Sequence, residues 1–192
     1  MWEFNLSQLF ESDISPIKWI ENDNNVKLLD QSKLPQEECF LYLNTWEDAF
    51  LAIKDMNVRG APAIGVLAGY AMVLASIQFE YMTRELALVK ISDIGSLLVQ
   101  ARPTAVNLKW AVDRMIDISR AISTKKDLTG ELLKEAKAIH LESHESDLKL
   151  SEFGAGIIPY GCSVLTHCNT GPLATAGFGT AIGVIRKARS EE

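Results

Sequence analysis

Two long stretches without a formal charge constrain the fold of this sequence more than any other feature. Residues 60–79 and 153–185 contain no Asp, Glu, Lys or Arg, although the 192-residue chain carries 25 acidic and 19 basic side chains. Each stretch is long enough to span a membrane. However, Pro62 and small residues in the first, and His167 and Asn169 in the second, favour segments buried in a layered α/β core or a subunit interface.

Net charge and cysteine content exclude several classes of protein. The net charge is −6, and no basic stripe exists that could neutralise phosphates, so we do not expect nucleic-acid binding. The basic doublet Lys125–Lys126 is predicted to lie in a solvated turn. Cys39, Cys162 and Cys168 are too few for a disulfide framework and wrongly spaced for a zinc site, so we expect reduced thiols in a cytoplasmic protein. The N-terminal residues lack the pattern of a signal peptide.

The first 155 residues predict a small antiparallel sheet plus a helical bundle. Short apolar runs broken by turn formers between Ile17 and Leu43 predict two or three strands. Thr45, with Asp48 three residues later, predicts the N-cap of a first helix. Further helices are predicted for residues 60–79, after Thr83, from Pro103 and for residues 128–153. The last of these is expected to turn inward Leu132, Ala136, Ile139, Leu150 and Phe153.

Residues 156–192 predict the beginning of a second domain. The run Cys162–Thr166 has the composition of a short strand, with Cys162 as a small buried residue. A loop at residues 168–171 follows, and then a helix from Pro172 to about Arg186. Strand, loop and helix in this order open a parallel α/β domain. No second strand follows to pair with the first, so we assign an α/β chain that ends in the first β-α unit of an incomplete Rossmann-like domain.

Three predicted helix starts contain a proline, and two of them follow an arginine. They are residues 59–62, 102–104 and 169–172. Proline fits the first helical turn, whose free N–H groups attract anions. Arg59 and Arg102 add fixed positive charge, and Gly60 permits close backbone approach. The pattern indicates a phosphate-bearing small molecule, and the alternative is that both arginines pair with surface carboxylates.

Cysteine and histidine supply the other candidate groups. Cys168 is predicted to lie between a strand end and a helix start, where the pKa of a thiol falls. The alternative is a packed, inert cysteine. His167 is a poor general base for it, because adjacent residues on a strand point to opposite faces. His140 and His144 are four residues apart, but their spacing to Glu142 is not that of HExxH, so no metal site is predicted.

Three segments resemble one known family. Residues 58–65 (VRGAPAIG), 101–108 (ARPTAVNL) and 165–171 (LTHCNTG) resemble the methylthioribose-1-phosphate isomerases. Their superfamily includes the regulatory subunits of translation initiation factor 2B. Weaker similarity, including Leu28–Gln31, extends the resemblance over nearly the whole of residues 17–186.

The resemblance implies an aldose-ketose isomerase. The family converts 5-methylthioribose 1-phosphate to 5-methylthioribulose 1-phosphate in methionine salvage, a route of methionine biosynthesis. The positions of Arg59, Gly60, Ala61 and Arg102 match substrate-binding residues, and Cys168 matches the catalytic cysteine. The resemblance implies no metal, no organic cofactor and a homodimer.

The departure from the family pattern is large. Family members are much longer, and the part beyond this chain carries an acid aspartate and an Asn-Lys substrate contact that nothing here matches. Asp113 and Asp117 follow Arg102 but do not replace that acid. We therefore expect a chain truncated before the C-terminal part and inactive alone, either one part of a split enzyme or a truncated copy, which forms a homodimer or pairs with a complementary chain that carries the missing half. The alternatives are a non-catalytic assembly module like the initiation-factor relatives, or an inert fragment.

Overall fold

A computed structural model gives the fold over residues 15–123, 127–175 and 177–190. The Lys125–Lys126 doublet and the N-terminal residues, where no signal peptide is expected, lie outside the described residues. The elements are the strands β1 (Ile17–Ile20), β2 (Asn25–Leu29) and β3 (Phe40–Leu43), and the helices α1 (Trp46–Lys54), α2 (Ala61–Gln78), α3 (Arg84–Ala101), α4 (Val106–Ala121), α5 (Leu128–Ala155) and α6 (Ala181–Ser190). The chain has a mixed α/β fold.

The three strands form an antiparallel sheet in the order β1-β2-β3, as the turn formers predict. Trp19 lies opposite Val26, and Val26 lies opposite Leu43. These three side chains are buried, because directly opposed residues of paired strands project from the same face of a sheet. The Trp19 ring stacks on Tyr70 of α2 with ring centroids 5.7 Å apart. The sheet therefore covers one side of α2.

Helix α2 is the central element of the fold. Every residue from 63 to 76 is buried, since α2 packs against α1, α3, α4 and α5. It is long and apolar enough to span a membrane, but 78% of it is buried inside the protein, as in a core helix. Small residues allow this packing: a Cβ atom at Gly69 would lie 3.6 Å from the Cβ of Ala136 on α5. The burial predicted for the first uncharged stretch is confirmed.

Helix caps confirm two of the predicted helix starts. The Thr45 hydroxyl accepts a hydrogen bond from the Asp48 N–H at 3.1 Å, and the Asp48 carboxylate accepts one from the Thr45 N–H at 3.0 Å. This reciprocal pair is a capping box. Thr83 caps α3 through a longer, 3.5 Å bond from the Leu86 N–H.

The helix predicted to open at Pro103 begins three residues later, at Val106. Arg102 ends α3 with φ −146° and ψ 80°, because a residue before proline is forced out of the helical region. Its carbonyl accepts a hydrogen bond from the Ala105 N–H at 2.9 Å. A turn therefore separates α3 from α4, and Pro103 lies in that turn.

The C-terminal unit differs most from the prediction. Within the described residues, Cys162–Thr166 forms no strand, because no neighbouring strand supplies hydrogen-bond partners. The helix predicted from Pro172 is a single 3-10 turn at Pro172–Ala174. Gly177 and Gly179 follow with φ of 121° and 99°, which interrupts helical geometry. Helix α6 begins only at Ala181 and packs along α5.

The burial predicted for the second uncharged stretch is wrong for its first half. Cys162, predicted to be buried, is exposed. Leu150 and Phe153, predicted to face inward on α5, are also exposed, because no described element packs on the last turns of that face. The same holds for Ile157, Tyr160 and Leu165.

Candidate functional site

The first turn of α2 has the features of an anion site. Gly60 precedes the helix with φ +100°, and Pro62 is its second residue. First-turn N–H groups have no partner within a helix and lie at the positive end of its dipole. Arg59 is exposed, and its Nε donates to the Met56 carbonyl at 3.2 Å. Arg59 forms no ion pair with any carboxylate of the described residues.

The turn containing Arg102 leads into the first turn of α4, next to α2. Arg102 is partly buried and, like Arg59, pairs with no carboxylate in the part of the chain that the structure describes. The two helix starts approach closely: a Cβ atom at Gly65 would lie 3.1 Å from the Asn107 carbonyl oxygen. The alternative that both arginines serve surface ion pairs is therefore not supported.

A cavity of ≈ 530 Å³ lies where α2, α4 and α5 meet. The first turns of α2 and α4 contribute Pro62 and Val106 to its wall, and α5 contributes Glu142 and Asp147. Hydrogen bonds from Arg114 hold the pKa of Glu142 below its usual value. None of the five predicted site residues lines the cavity, although Ala61 and Arg102 each lie within four residues of a lining residue.

Cys168 lies on an exposed loop. We call residues 168–174 the cysteine loop. Cys168 has φ +67°, a left-handed conformation that few side chains adopt. The loop is closed by hydrogen bonds from the Gly171 N–H to Asn169 Oδ1 at 3.4 Å and from the Thr180 N–H to the Thr170 carbonyl at 2.9 Å. The prediction that Cys168 lies between a strand and a helix start is wrong, because the described residues 156–167 form no strand and only a 3-10 turn follows Cys168.

The end of the cysteine loop packs against the start of α2. A Cβ atom at Gly60 would lie only 2.4 Å from the Ala174 carbonyl oxygen. The neighbouring Leu173 carbonyl accepts a hydrogen bond at 2.7 Å from the side-chain amide of Gln31. The fold therefore brings the end of the cysteine loop to the turn that carries Arg59.

Helix α5 has a buried polar face, of which only the two histidines were singled out from the sequence. The residues of this face are His140, His144, Asp147 and Ser151. The helical spacing of four, three and four residues could have indicated this face. His140 Nδ1 lies 2.9 Å from the Tyr70 hydroxyl, and burial raises the pKa of Tyr70.

His144 and Asp147 face the segment that follows the cysteine loop. The His144 ring lies edge-on to Phe178 with centroids 6.2 Å apart, and burial lowers the pKa of His144. Burial raises the pKa of Asp147, against hydrogen bonds from the Thr175 side chain and the Gly179 backbone. The contacts of both residues thus connect α5 with the segment after the loop.

The described residues support neither a metal site nor a role for Asp113 or Asp117 as the acid. The described residues contain no group of three or more His, Cys, Asp or Glu placed to hold a metal ion. Asp113 is exposed and pairs with Lys109, and Asp117 lies 3.9 Å from Arg120. Both carboxylates therefore take part in surface ion pairs on α4.

Comparison with known proteins matches most of this chain to one family. The model of the initiation factor 2 subunit family matches residues 57–192. A methylthioribose-1-phosphate isomerase of Thermoanaerobacter sp. (strain X514) is 46% identical over 90% of this chain and 51% of its own length. One from Nostoc punctiforme is 40% identical over 95% of this chain and 52% of its own. The chain thus spans about half the length of these relatives.

Two solved structures share the fold. The 5-methylthioribose 1-phosphate isomerase of Pyrococcus horikoshii OT3 superposes with a TM-score of 0.85 at 31% identity, over 98% of this chain and 52% of that one. The delta subunit of translation initiation factor eIF-2B from A. fulgidus superposes with a TM-score of 0.82 at 32% identity, over 93% of this chain and 52% of that one. The chain belongs to the initiation factor 2 subunit family.

Proposed function

We propose that this chain supplies the phosphate-binding turns and the catalytic thiol of an enzyme that isomerises 5-methylthioribose 1-phosphate to 5-methylthioribulose 1-phosphate. One observation carries the proposal. The close approach of Gly60 to Ala174 joins the Arg59–Ala61 turn to the end of the cysteine loop. Names of relatives such as the Thermoanaerobacter isomerase support the same substrate. The reaction belongs to methionine salvage and needs no cofactor in this proposal.

The substrate-binding role falls to four residues. Arg59 and Arg102 would neutralise the phosphate, because their guanidinium groups are not committed to ion pairs with described carboxylates. Gly60 and Ala61 would present the first backbone N–H groups of α2 to phosphate oxygens. Holding the phosphate fixes the distance between the sugar carbons and the thiol.

Cys168 is the proposed catalytic residue. The anomeric carbon of the substrate carries a phosphate ester, so ring opening needs an acid and hydrogen must then move from C2 to C1. In a proton-transfer scheme the Cys168 thiolate removes the C2 proton, leaving an enediol-like intermediate, and the proton returns at C1. In a hydride-shift scheme hydrogen moves directly from C2 to C1. The acid would come from the part of the relatives that this chain does not span.

The proposed function also implies a domain organisation, an assembly and a location for the protein. Residues 1–155 are proposed as the N-terminal domain and residues 156–192 as the start of the catalytic domain. We propose that the chain forms a homodimer or pairs with a complementary chain, and that activity requires the complementary chain, because only that chain can supply the acid. We place the enzyme in the cytoplasm, since its thiols at Cys39, Cys162 and Cys168 are free.

An assay of two chains tests the proposal. Ketose formation from 5-methylthioribose 1-phosphate is measured with this chain alone and with the separately expressed C-terminal half of a full-length relative. We expect turnover only in the mixture, because the acid is proposed to come from the part of the relatives that this chain does not span. Cys168→Ser should abolish the turnover of the mixture, whereas Cys162→Ser, on an exposed cysteine of the same segment, should not. Turnover that survives Cys168→Ser would refute the thiol role.

A non-catalytic assembly module is the second candidate. The likeness to the initiation factor subunit and the exposed apolar residues Ile157, Tyr160 and Leu165 favour it. Isothermal titration calorimetry with the substrate separates the two candidates. An assembly module should bind no sugar phosphate, whereas the isomerase chain should lose substrate affinity when Arg59 is changed to Gln. An inert fragment would neither bind substrate nor restore turnover.

A further inference from the structure

Gln31 fastens the cysteine loop to the N-terminal sheet. It is the second residue after β2, next to Asp30, and only 5% of its surface is exposed. Its Nε2 donates to the Leu173 carbonyl at 2.7 Å, and its own N–H donates to the Asn57 carbonyl at 2.9 Å. We propose that Gln31 is a positioning residue, which holds the cysteine loop at the first turn of α2. The inference rests on the function proposed above.

Gln31 is itself held by a compact polar cluster. The Asp30 carboxylate accepts hydrogen bonds from the Ser32 hydroxyl at 2.6 Å and from the Asn57 side chain at 2.8 Å. Burial would raise the pKa of Asp30, but these hydrogen bonds together lower it, so the carboxylate stays an acceptor. Asn57 lies two residues before Arg59. The same cluster thus holds the backbone N–H of Gln31 and the chain segment that leads to Arg59.

The two contacts on the cysteine loop involve adjacent residues. Gln31 holds the Leu173 carbonyl, and Gly60 packs against Ala174. Close packing at Gly60 limits how near the loop can come, whereas the hydrogen bond from Gln31 prevents it from moving away. Without that donor, a partly buried carbonyl loses its partner and the docked loop becomes less favourable. Cys168 would then lose its fixed position relative to the substrate phosphate.

Hydrogen exchange in the 192-residue chain measures the docking directly. Gln31→Met removes the donor at nearly constant volume, and Gln31→Glu replaces it with an acceptor when ionised. We expect amides of residues 169–175 to exchange roughly fivefold faster in both variants, with α2 unchanged. Gln78→Met is the matched control, because it removes a glutamine hydrogen bond, to Glu47 at 3.0 Å, on the exposed end of α2. This control should leave residues 169–175 unaffected.

The second measurement is the turnover of this chain mixed with the C-terminal half of a full-length relative. We expect Gln31→Met to lower kcat roughly tenfold and to change KM less than about twofold, because Arg59 and Arg102 lie outside the cysteine loop. Gln78→Met should change neither constant. A purely structural role would instead lower the amount of folded protein without separating kcat from KM.

The outcomes distinguish this inference from the function on which it rests. Unchanged exchange in residues 169–175 would overturn the positioning role whatever the activity. Uniformly faster exchange, α2 included, or loss of the fold in both Gln31 variants would also overturn it, since Gln31 would then support the core. If no version turns over the substrate, the proposed function fails, and locally faster exchange would still support the attachment of the loop by Gln31.

Discussion

Gly60 is the residue where the arginine turn and the cysteine loop meet. With φ +100° and the Ala174 carbonyl oxygen 2.4 Å from where a Cβ would lie, it meets two separate demands. The backbone conformation disfavours any side chain. The close approach also excludes even a methyl group, because the opposing atom belongs to the backbone and cannot rotate away.

Gly60→Ala should therefore destabilise the protein and displace residues 172–174. We expect the free energy of unfolding in urea to fall by about 2–3 kcal/mol. Gly161→Ala is the matched control, since Gly161 has φ +70° but nothing within 4 Å of a Cβ, and should cost only about 1 kcal/mol. Equal losses in the two variants would mean that the contact with Ala174 is not present in solution.

His144 links the stability of the protein to pH. Burial lowers its pKa below 6.5, against the nearby charge of Glu145. Its Nδ1 is buried without a hydrogen-bond partner among the described residues. As the pH falls below 6.5, the unfolded chain takes up a proton at His144 before the folded chain does. The free energy of unfolding must therefore decrease as the pH falls through that range.

The variant His144→Leu should show a weaker decline in stability between pH 7 and pH 5 than the unchanged chain. Asp147 acts in the opposite direction, because its raised pKa favours the fold at low pH, but its contribution is common to both proteins. His167→Leu, on an exposed loop residue, is the control. Urea titrations at several pH values provide the measurement, and identical slopes with and without His144 would contradict the prediction.

At the scale of elements, helix α1 depends on its N-cap. The Thr45 hydroxyl and the Asp48 carboxylate satisfy each other's backbone N–H groups at 3.1 and 3.0 Å. Thr45→Ala should lower the free energy of unfolding by about 1 kcal/mol. Thr83→Ala on α3 should cost less, since its single capping bond is 3.5 Å long and exposed. Urea unfolding of the two variants side by side tests whether the capping box matters as the geometry indicates.

Features that depend on residues close together in the sequence were predictable, whereas features that depend on partners far along the chain were not. The cap at Thr45 and the buried helix α2 depend on residues close in sequence, so their patterns were sufficient. The strand predicted at Cys162–Thr166 requires a neighbouring strand, and composition alone cannot supply one. Likewise, Gln31 lies 142 positions from its partner Leu173. No periodicity connects two such residues.

The candidate site was predictable only in part for the same reason. The proline and glycine of residues 59–62 indicated an unusual helix start, and the structure has one at Gly60. Cys168 was proposed as a site residue from its neighbours in sequence, but the end of its loop contacts Gln31 and Gly60, which lie far away along the chain. Asp147 was missed because it is one of several acidic residues on α5, and acidic side chains on a helix are normally solvated.

At the scale of the whole molecule, residues 150–165 contain several large apolar side chains that are exposed to solvent. Leu165 is 97% exposed and Tyr160 87% exposed, with Phe153 and Ile157 close in sequence. Large exposed apolar surfaces mark sites of association or cause aggregation. The isolated chain should therefore bind hydrophobic dyes and self-associate as its concentration rises, in contrast to a protein whose apolar residues are covered.

Leu165→Asp tests whether this surface is responsible. We expect dye fluorescence to fall at least about twofold and the sedimentation coefficient to become independent of concentration. Tyr81→Asp is the matched control, because Tyr81 is also 97% exposed but lies between α2 and α3, and it should change little. Adding the C-terminal half of a full-length relative should reduce dye binding by the unchanged chain, since the proposed complementary part would cover residues 150–165. If that half restores turnover yet leaves dye binding unchanged, the two parts must meet elsewhere, and the exposed surface would belong to contacts between copies of the chain.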